Sequence, residues 1–143
     1  SVAVLLLDRV ADDALVVVDG IGVGSSVYDQ LAAVDDLRLL SFIASARTYP
    51  DERDRSGKLG FKNDRAWSWW RLREALDPTH GDDLEIPDDP ALVEELAAPR
   101  WSVRSGLIIV EEKEALRERL GRSTNRADAL ILAHQESGSL LLW

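Results

Sequence analysis

Cysteine is absent from all 143 residues, which excludes a disulfide framework and any thiolate metal site and suits a reducing compartment. Methionine is absent too, and the chain opens on Ser1, so Ser1 reads as an internal residue of a longer natural protein. Histidine is scarce: His80 and His134 stand alone, and neither has metal-ligand spacing. Long apolar runs are missing as well. AVLLL at 3–7 and ALVVV at 14–18 fall far short of the about 20 residues that span a bilayer, and they lack the flanks of a signal peptide. No membrane partner is therefore expected. Basic residues number 17 against 26 acidic ones, and the net charge of −9 argues against nonspecific nucleic-acid binding by the whole surface. A local basic face or an acidic metal site remains compatible with it. What is present, 45% hydrophobic and 30% charged residues, is ordinary for one soluble domain large enough to bury a core.

The order of elements predicts an α/β chain. Residues 2–11 read as the end of a buried helix closed by Asp12 and Asp13. The β-branched run at 14–18 reads as a strand covered on both faces, 25–33 as a helix and 37–44 as a second strand, which is the pattern of a parallel crossover. Residues from about 46 to 61 carry a proline, two glycines and many charges, and read as a long mobile loop. Asn63 opens a strong helix, NDRAWSWWRLREAL, that Asp77 and Pro78 end. A linker with a short extended piece follows, then a short helix at 90–97 with proline in its first turn. Residues 100–103 and 107–110 read as a β-hairpin, 112–120 as a charged helix stopped by Gly121, and Ser123 or Thr124 as the cap of a last helix reaching about His134. There is no internal repeat, and the whole reads as one domain over 1–143.

Four features could carry chemistry. Asp19 closes the first strand before GIGVG, where a turn residue, a phosphate loop and a metal ligand compete. The dinucleotide fingerprint fails, because its third glycine would fall at Ser25. The C-terminal edge of a parallel strand is nevertheless where open α/β sheets place ligands. Asp128 sits early in the last helix, where the dipole alone favours a carboxylate. Ile131 and Leu132 share its face and turn it inward, where a divalent cation held jointly with Asp19 would serve as partner. Between Arg47 and Arg73 lie eight basic residues against four acidic ones, read either as a solvated loop or as a phosphate-contacting surface made of Arg47, Arg53, Arg55, Lys58, Lys62 and Arg65. The spacing of Ala66, Trp69 and Leu76 marks the tryptophans of that helix as packing residues rather than stacking platforms. Lys113 is an ordinary surface lysine unless carboxylates lie beside it, where it could hold a phosphate or tune the site.

Three blocks in order, VVVDGIGVGSSVYDQL, NDRAWSWWRLR and LIIVEEKEALRERLGRSTNRADAL, resemble the nuclease domain of the large terminase subunit of tailed bacteriophages. The resemblance runs from about Ala14 to Ala133 and implies an RNase H-like mixed sheet flanked by helices. It implies a metal-dependent endonuclease that cuts concatemeric double-stranded viral DNA during packaging. Two magnesium or manganese ions (Mg2+ or Mn2+) would be held by three carboxylates, activating water and stabilising the leaving oxygen. Asp19 matches the second acidic ligand, Asp128 the third, and Lys113 a lysine frequent in its block. Partners implied are the terminase ATPase domain, the small terminase subunit and the portal, in the cytoplasm of a bacterial host, the gene being of phage or prophage origin.

The sequence departs from that pattern. The meander that carries the first acidic ligand is not in this chain, and Asp8, Asp12 and Asp13 do not replace it. Asn125 stands where an acid or histidine is frequent, Thr124 where proline is common, and Trp67 where glutamate is. The expectation is thus a partial domain lacking its first strands, with an open strand edge that invites a homodimer. The competing readings are a catalytically inactive prophage remnant or interaction module, and a nucleotide-binding α/β domain.

Overall fold

The computed structural model describes residues 15–19, 29–30, 32–33, 38–42, 51–82 and 84–134. The expected helix at 2–11, most of that at 25–33, the glycines after Asp19, Arg47 and the apolar tail lie outside them. The chain divides into two compact units, Ser1–Ala44 with Gln135–Trp143, and Ser45–His134.

In the first unit, β1 (Leu15–Asp19) pairs in parallel with β2 (Arg38–Phe42), from Leu15 opposite Arg38 to Asp19 opposite Phe42. These are the two strands expected at 14–18, from its β-branched run, and at 37–44. A parallel pair needs a crossover between its strands, and Asp29, Gln30 and Ala32 on that connection are helical. Asp19 is the last residue of β1, at its C-terminal edge.

Among the described residues, the second unit is a three-stranded mixed sheet with four helices. Its strand order is β3 (Gly60–Phe61), β5 (Leu107–Val110), β4 (Trp101–Arg104), parallel between β3 and β5 and antiparallel between β4 and β5. The β4–β5 hairpin turns through Ser105 and Gly106 at φ 50° and 74°, the paired positive angles of a tight hairpin turn. β3 falls where a loop was expected. Two residues cannot display an alternating pattern, and the strand exists because Gly60 lies against β5: a Cβ there would stand 3.0 Å from Leu107 Cδ2. Before it, residues 54–59 form a turn in which Asp54 accepts from the Leu59 N–H and the Ser56 hydroxyl.

Helix α1 (Asp64–Leu76) starts where Asn63 accepts from the Ala66 N–H at 2.9 Å. Trp67, Trp69 and Leu72 are buried, and join Phe61, Ile108 and Ile131 in the core; the tryptophans pack, as their spacing predicts. After a 3-10 turn (Pro78–His80), α2 (Pro90–Ala97) is capped by Asp89 with proline in its first turn. Helix α3 (Lys113–Leu120) ends at Gly121, and α4 (Asn125–His134) closes the unit.

One carboxylate decides how α4 sits. Glu95, on α2, is only 2% exposed, yet its Oε2 accepts from the Ala127 N–H at 2.9 Å and its Oε1 from the Arg122 guanidinium. Burial alone would raise its carboxyl pKa; the Ala127 N–H and Arg122 outweigh burial and hold it below the usual range. Hydrogen bonds to a charged group contribute about 1.5–3 kcal/mol each when they cannot be replaced by water. Glu95→Ala should therefore lower unfolding stability by about 2–3 kcal/mol, while exposed Glu94→Ala should cost less than about 0.5 kcal/mol. Urea titrations of the two variants check this.

Candidate functional site

Charged side chains gather where β3 and β5 both end. Parallel strands bring their C-terminal ends to one edge, so Lys62, which follows β3, and Glu111, Glu112 and Lys113, which follow β5, share it. The ladder continues one step beyond β3, with the Lys62 N–H donating to the Ile108 carbonyl at 3.0 Å. Lys62 Nζ lies 3.5 Å from Glu112 Oε1. Glu112 is the extended residue from which α3 starts, its carbonyl accepting from the Leu116 N–H.

Asp128 comes to the same place from the first turn of α4. Its N–H donates to the Thr124 carbonyl, and its Oδ2 stands 3.2 Å from Lys113 Nζ and 3.4 Å from Thr124 Oγ1. The inward face expected for it is occupied by Ile131, 3% exposed, and the Asp128 side chain itself is 20% exposed. Lys113 thus has one carboxylate, Asp128, beside it.

Glu111 braces this corner. Arg119 grips both carboxylate oxygens, at 3.0 and 2.7 Å, and the Arg100 N–H adds a third bond at 3.1 Å. The Arg119 fork, ahead of burial and helped by Arg100, brings the Glu111 carboxyl from 4.5 to about 2. Its backbone carbonyl accepts from Arg65 Nε at 2.8 Å.

Arg65 corrects one expectation. Read as a DNA-facing cation, it is buried at 4% exposure beneath the site, with Trp69 5.4 Å from its guanidinium carbon, and does not belong to a solvent-facing phosphate surface. Arg53, Arg55, Lys58 and Lys62 are exposed. Arg55 pairs with Asp82 and donates its N–H to Glu74 Oε2 at 2.8 Å. Glu111 and Glu112 were not singled out from sequence, although the strand-end rule that marks Asp19 applies to them equally.

Asp128 offers the hard oxygen that Mg2+ or Mn2+ takes. One carboxylate faced by a lysine is a single corner of such a site, and among the described residues no three His, Asp or Glu converge to hold a metal ion. None of the helices among the described residues is long and apolar enough to cross a membrane.

Sheet topology defines the class as an α/β protein, and the solved structures that resemble it give the fold as RNase H-like. Solved structures of similar fold make the comparison particular. The nuclease domain of the large terminase subunit gp2 of bacterial virus Sf6 superposes with a TM-score of 0.68 at 23% identity, over 92% of this chain and 68% of that one. A point variant of that domain with manganese and β-thujaplicinol gives 0.67 at 21%, over the same shares. Another, with calcium, gives 0.68 at 22%, again over 92% and 68%. No family model matches the chain, and neither does any curated protein. At such identities the likeness establishes the fold, and a fold hosts more than one chemistry.

The depressed Glu111 carboxyl gives a signed pH dependence. With a folded pKa below the unfolded one, its contribution is complete above about 4.5 and is lost as pH falls through about 2. Glu111→Gln should be less stable than the parent at pH 7 and lose less stability on acidification across that window. Urea midpoints measured from pH 7 down to about 2 read both effects.

Proposed function

We propose that this chain is a metal-dependent endonuclease domain of the terminase large-subunit type, cutting concatemeric double-stranded viral DNA during genome packaging. The observation that carries the reading is the Asp128–Lys113 pair at the C-terminal edge of β3 and β5, within a fold shared with terminase nuclease domains. In this reading residues 1–143 form one partial nuclease domain, encoded by a phage or prophage and working in the bacterial cytoplasm beside the ATPase domain, the small subunit and the portal.

Asp19 and Asp128 are the residues we assign to hold Mg2+ or Mn2+, in keeping with the manganese and calcium of the neighbouring structures. Bound there, the ions would activate a water and stabilise the leaving oxygen of a phosphodiester. The chain's own groups do the rest. Lys113, 3.2 Å from Asp128, holds that carboxylate in place and presents a proton-bearing amine at the reacting phosphate. Arg53, Lys58 and Lys62, and Arg55 beside its partner Asp82, contact the DNA backbone without reading sequence, as cations on phosphate do.

A second reading, a DNA or packaging-protein interaction module without cutting activity, is favoured by one observation: the single described carboxylate of the proposed set is already neutralised by Lys113. Supercoiled plasmid with Mn2+ separates the two. Asp19→Asn and Asp128→Asn should each cut at least about tenfold more slowly than the parent chain, the scale of losing one transition-state contact. Equal cutting by all three would remove the site assignment. No cutting by any, with retained DNA retardation, would establish the interaction module.

A further inference from the structure

β4 has all four residues exposed, although one of its faces continues the core. Residues directly opposite each other on paired strands share a face. Trp101 stands opposite Val110 and Val103 opposite Ile108, and both β5 partners are buried in the cluster that α1 covers. Over β4, α1 reaches Trp101 through the Trp70 ring, edge-on at 4.7 Å. Trp101 is still 51% exposed and Val103 42%. The backbone of β4 is open along its outer edge as well. The Arg100 carbonyl accepts from the Glu111 N–H at 2.8 Å, so the alternation of an antiparallel pair turns residues 100, 102 and 104 toward β5. The N–H and C=O groups of Trp101 and Val103 therefore point outward, and among the described residues β4 pairs with β5 alone. Two donors and two acceptors in a row, beside two exposed apolar side chains, are what an added strand takes up.

Charge selects the strand. Arg100 and Arg104 bracket β4 on its other face, and Arg104 makes no ion pair among the described residues. Arg73 lies over the Trp70 and Trp101 rings, at 4.2 and 5.1 Å. A second copy paired antiparallel about Ser102 would set Arg100 against Arg104 twice, and like charges directly opposite are destabilising. Duplex DNA would use the arginines but neither the carbonyls nor the apolar side chains. We propose that the outer edge of β4 docks an extended segment of an acidic partner protein. The segment runs antiparallel to β4, with carboxylates opposite Arg100 and Arg104 and apolar residues opposite Trp101 and Val103. An acid–apolar–any–apolar–acid run meets every group of that edge at once. The edge serves this role whether or not the chain cuts DNA, since it uses neither Asp128 nor Lys113.

The test is fluorescence anisotropy of a labelled peptide, Ser-Glu-Val-Thr-Val-Glu-Ser, titrated with the full chain. The parent should bind it. The same peptide with lysine for both glutamates should bind at least about tenfold more weakly, because two cross-strand charge pairs turn repulsive. Methyl groups on the two valine nitrogens keep every side chain and remove the donors to the Trp101 and Val103 carbonyls, and should likewise weaken binding at least about tenfold. Arg100→Glu combined with Arg104→Glu should reverse the preference in favour of the lysine peptide. Val103→Pro removes an outward N–H without touching a bond to β5, and should abolish binding. Should that variant fail to fold, the methylated peptide puts the same question to an unaltered chain. Equal binding of the methylated and unmethylated peptides would overturn the proposal, leaving charge attraction without an added strand. Absence of binding by the parent would overturn it too. Sedimentation showing a dimer that Val103→Pro dissociates would then make the occupant a second copy. Weaker retardation of a DNA duplex by Arg104→Glu would instead make the arginines phosphate contacts.

Discussion

The first turn of a helix has N–H groups that its own carbonyls cannot reach, and when that turn is packed inside a protein something else must accept from them. In this chain the constraint falls on α4, and the buried Glu95 carboxylate meets it. The group sits on α2, accepts from the Ala127 N–H, and draws Arg122 in from the segment just before the helix. A carboxylate at that place also faces the positive end of the helix dipole. The consequence is positional. Ala127, whose N–H is held, precedes Asp128 by one residue, so the anchor that seats the helix also sets where the site carboxylate emerges. Asp89 reinforces it from the start of α2 through its ion pair with Arg126.

A second constraint comes from charge. An acidic chain that concentrates carboxylates at a strand edge must separate them or neutralise them, and this one interleaves cations. Lys62 faces Glu112, Lys113 faces Asp128, and Arg119 and Arg100 hold Glu111. The pairs differ in worth. The exposed Lys62–Glu112 contact contributes little to stability, while the fork on Glu111 is sheltered enough to pull its carboxyl to about 2. Glu111 is therefore held by more contacts than Lys62.

Much of this was legible in the sequence, for reasons that differ by element. The helix from Asn63, the hairpin around Ser105 and Gly106, and the proline-led α2 announce themselves through caps, turn residues and periodicity, all local signals. The strand ending at Asp19 was legible from its β-branched run. What escaped was non-local. β3 is two residues long and exists only because β5 lies beside it. Arg65 reads as one more cation of a basic stretch, and nothing nearby in sequence says that Glu111, 46 residues on, will bury it. Glu95 reads as one of two adjacent glutamates on a short helix, Glu94 and Glu95. Only packing decides that the second turns inward to a helix 32 residues away.

The same contrast explains how an RNase H-like frame can be built with so little sequence in common with its structural neighbours. The frame needs apolar residues at α1 and β5 positions, and many substitutions satisfy that. The site needs three elements, α1, the β5–α3 turn and α4, to meet within a few ångströms, and here polar contacts set that meeting more tightly than the core could. Apolar packing is non-directional and tolerates sliding; the bonds of Glu95 to Ala127 and of Arg65 to Glu111 do not. Each joins a charged side chain to a backbone group, so each depends on one residue's chemistry and places no demand on the identity of the residue at the other end. What constrains Ala127 and Glu111 is instead their own side chains, the first packed in the core and the second held by Arg119. Glu95 and Arg65 are the positions where drift would be felt at the site.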